Sequence, residues 1–230
     1  MTAIFVTATG TDIGKTYITA ALIRHLRAAG RTVEAFKPVV SGFDPERAAE
    51  SDPGVLLAAL GRPVTMDEIA KISPWRYRAP LSPDMAAGAE GTAVDFAELA
   101  QFSLRAILTR RDVLFIEGVG GVMTPIDDTH TVLDWMLALR LPLILVAGSY
   151  LGTISHTLTA LDTLRRRELS MLTIVVNESA GSSVPLDQTV AAIRRFIHPV
   201  NVLPVPRIKG GAGNAAAFAR MFGSGTGTTE

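Results

Sequence analysis

Six short apolar runs punctuate the 230-residue chain, and none of them alternates between apolar and polar positions. They are AIFVTA at 3–8, TVEAFKPV at 32–39, DVLFIEG at 112–118, PLILVAG at 142–148, LTIVVN at 172–177 and VNVLPV at 200–205. Alternation marks a strand with one wet face. A continuous apolar run marks a strand covered on both faces, as in a parallel sheet. Between the runs lie helix-like stretches at 15–29, 96–108, 151–165 and 185–196; in the first, Ile18, Ala21, Leu22 and Leu26 share one face. Strand–helix alternation of this kind predicts an α/β fold, a mostly parallel central sheet covered by helices on both faces and joined by right-handed crossovers. The length, with 48% hydrophobic residues, suits one core, and a single domain is expected over 1–208.

Two regions break the rhythm. Residues 41–53 are polar and rich in turn formers, and are expected to form a mobile loop. Residues 73–91 hold Pro74, Pro80 and Pro83 with Trp75 and Tyr77, which predicts a long ordered loop. Loops of that length inside a compact domain are often functional. The glycine- and alanine-rich tail, 209–230, is expected to form a weak helix around 214–222 and then to be disordered. Twenty-two basic and 22 acidic residues balance to zero formal charge, which gives no support to a nucleic-acid or anionic-membrane partner. The absence of cysteine excludes disulfides and thiolate zinc sites. The four histidines, at 25, 130, 156 and 198, are too scattered to suggest a metal pair. Neither a basic, cleavable leader nor an apolar stretch long enough to span a bilayer is visible, so a soluble cytoplasmic protein is expected.

The stretch TATGTDIGKT at 7–16 ends like a phosphate-binding loop, with Gly14, Lys15 and Thr16. The standard pattern, G-x-x-x-x-G-K-[ST], would put a glycine at Thr9; the nearest is Gly10. The context suits the motif: a buried strand before, an amphipathic helix after, and backbone N–H groups aimed at phosphate oxygens. Lys15 would then neutralise β- and γ-phosphate charge and the Thr16 hydroxyl would bind Mg²⁺. The other reading is a strand-to-helix turn with a surface lysine. Glu117 ends the third run and is followed by Gly118, Gly120 and Gly121. A carboxylate there lies at the sheet edge where ligands bind, and could hold Mg²⁺; a glycine turn capping a strand is an equal reading. On residues alone, Asp52 is a turn or cap residue before Pro53, and Lys37 is an exposed strand-end lysine. Asp127 and Asp128 read as a turn and N-cap, the arginines at 165–167 as a solvated helix end, and Asn177 as either a base reader or a turn former.

Taken together, TATGTDIGKT, AFKPVVSG at 35–42, SD at 51–52, EGVGG at 117–121, LGTISH at 151–156 and VVN at 175–177 resemble the dethiobiotin synthetase family, in that order and over nearly the whole chain to Ile208. The resemblance implies a P-loop NTPase-like fold and an ATP-dependent ring closure. CO₂ would be joined to 7,8-diaminopelargonate through a carbamate and a carbamic–phosphoric anhydride, giving dethiobiotin, ADP and phosphate. It makes Lys15 and Lys37 the catalytic lysines and Thr16, Asp52 and Glu117 the Mg²⁺ ligands. The nucleotide would meet Asp12, Ile13, Gly14, Lys15, Thr16 and Tyr17, then Gly118, Val119 and Gly120. Asn177, Glu178, Pro206, Arg207 and Ile208 would form the base pocket. Thr11, Lys37, Ser41 and Gly121 would contact the diamine or carbamate. The family's homodimer implies that Gly152 and Ser155 bind the substrate carboxylate in the partner's site.

The chain departs from the family at a few positions. Ala8 stands where the leading glycine of the family's longer loop falls. Ser155 replaces a frequent asparagine, no tyrosine lies near Thr189, and Ser82-Pro83-Asp84 replaces a PSPH-like stretch. The alternative class is a ParA/MinD-like nucleotide-switch ATPase, which carries an extra lysine early in its loop; residues 8–11 hold none.

Overall fold

The first strand, β1 (Thr2–Ala8), shows why the apolar runs do not alternate. Successive side chains point to opposite faces of a sheet, and here both faces are covered. Phe5 packs on one side with Leu114, Ile116, Leu145 and Val176. Ile4, Val6 and Ala8 pack on the other with Phe115, Ile144 and Val175. The structure is a computed structural model that describes residues 1–207. Ile208 and the expected tail helix at 214–222 lie outside the described residues.

The central sheet is six-stranded and parallel. Its order is β2 (Val33–Phe36), β5 (Val113–Glu117), β1, β6 (Leu143–Ala147), β7 (Met171–Asn177) and β8 (Val202–Val205). The chain leaves β1 toward β2, returns to β5, then departs on the other side through β6. The order therefore reverses at β1, and the carboxyl ends of the strands around such a switch point form the usual ligand crevice of open α/β sheets. Helices α1 (Lys15–Ala28), α2 (Asp52–Ala59) and α3 (Met66–Ile72) cover one face with Ile18, Leu22, Leu56 and Ile69. Helices α5 (Phe96–Thr109), α6 (Val132–Leu139), α7 (Thr153–Arg166) and α8 (Leu186–Arg194) cover the other with Leu99, Trp135, Leu161 and Ile193. Each such fully buried side chain contributes about 1.5–3 kcal/mol. Trp135 also meets Phe5 edge-on at 4.9 Å and donates its indole N–H to Ser103 Oγ at 3.1 Å, so its polar atom is satisfied.

The run at 32–39 is not one strand. It leaves the sheet after Phe36; the Lys37 N–H donates to Ile72 O instead, and Pro38 has no N–H to continue a ladder. The chain resumes as β3 (Val39–Ser41), paired in parallel with β4 (Trp75–Tyr77). This break turns Lys37 inward rather than leaving it an exposed strand end. The expected loops also contain regular structure. Residues 41–53 include a 3₁₀ turn at Pro45–Arg47 and run into α2, and 73–91 include β4 and α4 (Pro83–Ala89). Helices α2, α3 and α6 are only seven or eight residues long, too short to show a clear apolar period. Local caps start them: Ser51 Oγ accepts from Gly54 N–H, Thr65 Oγ1 from Glu68 N–H, and Thr131 with Asp134 forms a capping box. Asp127 does form the expected turn, accepting from the N–H groups of Thr129 and His130, but the cap of α6 is Thr131.

Candidate active site

The loop at 9–14 runs from the end of β1 into α1. Ala8 is the last residue of the strand, extended, buried and in register with Val146. Position 8 therefore makes no left-handed turn, and alanine suits it. The left-handed residues are Asp12 (φ 56°) and Gly14 (φ 100°), further along the loop. Gly14 is the N-cap of α1 and has no Cβ to obstruct that conformation. Across the crevice, Gly121 approaches the loop so closely that a Cβ on it would lie 3.2 Å from the Gly10 backbone. Lys15, buried, curls back along its own loop and donates to Gly10 O at 3.2 Å and Gly120 O at 2.7 Å. The first N–H groups of α1 have no helical acceptor, and Gly14, Lys15 and Thr16 at that helix start line the hollow above the loop.

At the carboxyl end of β5, Glu117 is fully buried. Its Oε1 accepts from Thr16 Oγ1 at 2.6 Å and from Lys37 Nζ at 2.9 Å, while its Oε2 is buried with no partner. Lys37 is itself buried, donates to Gly118 O at 2.8 Å and pairs with Asp52 Oδ2 at 3.0 Å. Burial alone pushes the Lys37 ammonium down, but Asp52 and Glu117 together outweigh it and hold it above the ordinary lysine value. Attraction to Lys37 holds Asp52 below the usual carboxylate range, against the opposing effect of its partial burial and with help from the Thr16 hydroxyl. Lys15 goes the other way. Burial, then repulsion from Lys37, lower it to about 8, against the weaker pull of Glu117 and Asp52.

Thr16, Asp52 and Glu117 thus bring three oxygen donors together, one carboxylate oxygen of which has no partner. A hard cation that keeps most of its own waters needs only one or two carboxylates and suits this set. Two carboxylates and a hydroxyl fall short of a dense acidic cage; among the described residues no group of three His, Cys, Asp or Glu side chains could hold a metal.

A hollow of about 630 Å³ opens over this cluster. It gathers Thr11, Asp12, Gly14, Lys15, Thr16, Lys37, Ser41, Asp52, Val119 and Gly120 from the expected set. Other expected residues lie around it. Gly121 lines a second hollow of about 530 Å³ with Thr9, Met123 and His156. Glu178 and Pro206 line a third, of about 460 Å³, with Val190 and Arg194. Glu178 accepts from the Arg207 N–H at 2.7 Å. Asn177 reaches the loop itself, donating Nδ2 to Ile13 O at 2.9 Å. Gly152, the N-cap of α7, and Ser155 in its first turn do not line the first hollow of their own chain. Neither do Ile13, Tyr17 and Gly118.

The sequence reading missed Thr124, Pro125, Pro80, Leu81, Ser82 and Pro83 as site residues, and these complete the walls. Thr124 Oγ1 accepts the Gly121 N–H at 2.7 Å and shapes the glycine turn after β5. The spacing from the glycines to a threonine was its one available signal. Pro80 and Leu81 come from the proline-rich segment already marked as an ordered loop.

The fold and the loop define a class first: a P-loop α/β nucleotide-binding protein. A family model described as an AAA domain matches residues 2–210. Of the solved structures, the septum site-determining protein MinD complexed with Mg-ADP from Pyrococcus horikoshii superposes with a TM-score of 0.56 at 16% identity, covering 96% of this chain and 93% of that one. At that identity the likeness is one of fold. Closer relatives narrow the class. The chain is 51% identical over 209 residues to the ATP-dependent dethiobiotin synthetase BioD of Caulobacter vibrioides, covering 90% of this chain and 93% of that protein. It is 45% identical to the protein of the same name from Acidiphilium cryptum, covering 86% and 89%. The chain belongs to the ATP-dependent dethiobiotin synthetase family.

Proposed function

We propose that this chain is an ATP-dependent dethiobiotin synthetase that works with Mg²⁺, as a homodimer, in the cytoplasm. The observation that carries the reading is the meeting of Lys15, Thr16, Lys37 and Asp52 at one hollow, with buried Glu117 bonded to Thr16 and Lys37, in a chain half identical to curated dethiobiotin synthetases. Its substrates are 7,8-diaminopelargonate, CO₂ and ATP. No helix among the described residues is long and apolar enough to cross a membrane, and the balanced charge offers no general attraction for nucleic acid.

One amine of the diamine adds to CO₂ and forms a carbamate. A carbamate oxygen attacks the γ-phosphorus, ADP leaves, and a carbamic–phosphoric anhydride remains. The second amine attacks the carbonyl, phosphate leaves, and the ureido ring closes. The substrate supplies both nucleophiles, so the protein's task is to position two anions and stabilise charge as the phosphoryl group moves. Lys15 exchanges its bonds to Gly10 O and Gly120 O for phosphate oxygens. Lys37, kept charged by Asp52 and Glu117, faces the carbamate and γ-phosphate, with Thr11, Ser41 and Gly121 beside the diamine. Mg²⁺ held by Thr16, Asp52 and Glu117 would supply charge neutralisation and a template for the phosphates. The base lies between the loop and the strand ends near Asn177, Glu178, Pro206 and Arg207. Residues Gly152 and Ser155 reach the substrate carboxylate of the partner's site.

The test is incubation with ATP, Mg²⁺, bicarbonate and diaminopelargonate, following phosphate release and product mass. Diamine-dependent phosphate release with dethiobiotin is expected. ATP hydrolysis that ignores the diamine would instead point to a nucleotide switch.

A further inference from the structure

The Asn177 side chain fills the space that a side chain on Gly14 would need. The two residues lie far apart in sequence, and the strand β6 runs between their two strands. Yet Asn177 Nδ2 donates to Ile13 O at 2.9 Å, at the residue before the left-handed Gly14 turn. A Cβ built on Gly14 would lie 2.3 Å from that same Nδ2. The carboxamide is therefore seated in the notch that glycine leaves, and it bonds the backbone on the notch's rim.

The anchor behind Asn177 is firm. Glu178 N–H donates to Val205 O at 2.9 Å. Ser149 and Ser179 exchange two bonds, each backbone N–H donating to the other's hydroxyl, at 3.0 and 2.9 Å. The Glu178 carboxylate accepts from Arg207 N–H. These bonds tie the ends of β6, β7 and β8 together just past the sheet. By contrast, the loop at 9–14 has few ties of its own, and its Asp12, a non-glycine residue at φ 56°, holds a sparsely populated conformation that the surroundings must keep.

From this we infer that Asn177 is a positioning residue for the phosphate loop. It braces the Ile13–Gly14 peptide so that the N–H groups at the start of α1 point into the hollow before any ligand arrives. Its effect on nucleotide binding then has a part that does not pass through the base. Preorganised donors cost no rearrangement when the anion binds, so loss of the brace weakens triphosphate binding itself. The inference rests on the loop being a phosphate site, and it goes beyond the base-reading role the family resemblance gives Asn177.

Two measurements on the full-length chain decide it. The first uses inorganic tripolyphosphate, which has no base, as the probe, with Mg²⁺ present, by titration calorimetry. In Asn177→Ala and Asn177→Asp, tripolyphosphate affinity is expected to fall on the order of tenfold, as suits one lost hydrogen bond and its ordering effect. Unchanged tripolyphosphate affinity with weakened ATP binding would mean that Asn177 only reads the base, and would overturn the proposal. The second is hydrogen exchange of the peptide spanning residues 9–17 without ligand. Faster exchange in both variants, with melting temperatures near wild type, supports the brace; unchanged exchange rejects it. Wild-type protein that fails to bind tripolyphosphate would count against the phosphate-site reading alone, since the exchange measurement still decides the brace.

Discussion

Lys37 and Glu117 are buried together, with side chains 3% and 0% exposed and 2.9 Å apart. Removing one partner of a buried pair leaves an uncompensated charge and costs about 3–5 kcal/mol. Lys37→Ala is therefore expected to abolish turnover and also to lower the melting temperature clearly. A second substitution separates the two effects. Lys37→Ala with Glu117→Gln removes the stranded charge and should recover much of the lost stability, while turnover stays absent. If the single variant melts like wild type, the pair is not the buried pair described above. Lys15 gives a pH signature. Its ammonium titrates near 8 in the folded protein, below its unfolded value. Between those two values the unfolded chain binds more protons, so this group makes folding more favourable as pH rises through that window. The proposed contact of Lys15 with phosphate needs the charged form, so ATP affinity should drop as pH rises past about 8, and binding there should take up a proton. Calorimetry in buffers of different ionisation heat measures both; Lys15→Arg should flatten the profile.

At the scale of elements, the short helix α2 sets where Asp52 stands. Gly54 lies in its first turn, and a Cβ there would sit 2.1 Å from Ala48 O and 2.9 Å from Ala49 backbone atoms. The helix thus packs directly on the preceding turn, with Ser51 Oγ bridging them through Ala48 O at 2.6 Å. Gly54→Ala must push α2 away, at an overpacking cost of about 1–3 kcal/mol, and it should carry Asp52 off Lys37. The expected result is a lower melting temperature together with a higher Mg²⁺ requirement for turnover. A variant with an unchanged Mg²⁺ requirement would show that Asp52 is not placed by this packing. The sequence did not disclose α2, because eight mostly apolar residues show no face. It disclosed β1, α1 and β5 readily, since their apolar runs and glycines report directly on a buried strand and its turn. The break at Lys37-Pro38 was hidden for a related reason: the apolar run continues through it, and only the loss of strand pairing reveals it. Once the break is known, Lys37 changes from a surface lysine to the centre of the charge cluster. Ala8 shows the converse. Counting glycines made it an anomaly, but the left-handed turns fall at Asp12 and Gly14, and counting could not locate them.

At the scale of the whole molecule, the reversal of strand order at β1 places the phosphate loop, the Glu117 turn and the α7 start along one sheet edge. Every group expected to handle phosphate or metal lies on this edge within one chain. The segment expected to hold the substrate carboxylate does not line the same hollow, which is the arrangement a second copy would complete. Leu151 is 86% exposed at the entry to α7, and Met123, 57% exposed, borders the hollow beside His156. Large apolar side chains left open at the start of α7 and at the rim of the second hollow suit a surface that another copy covers. Leu151→Asp places a charge there without touching the phosphate loop or the Glu117 cluster. Sedimentation should show wild type as a dimer and this variant shifted toward monomer. Its ATP affinity should stay near wild type, because one chain supplies that site. Its turnover should fall and its KM for the diamine rise, because the carboxylate would lose its partner contacts. A monomeric variant that turns over normally would place the whole site within one chain.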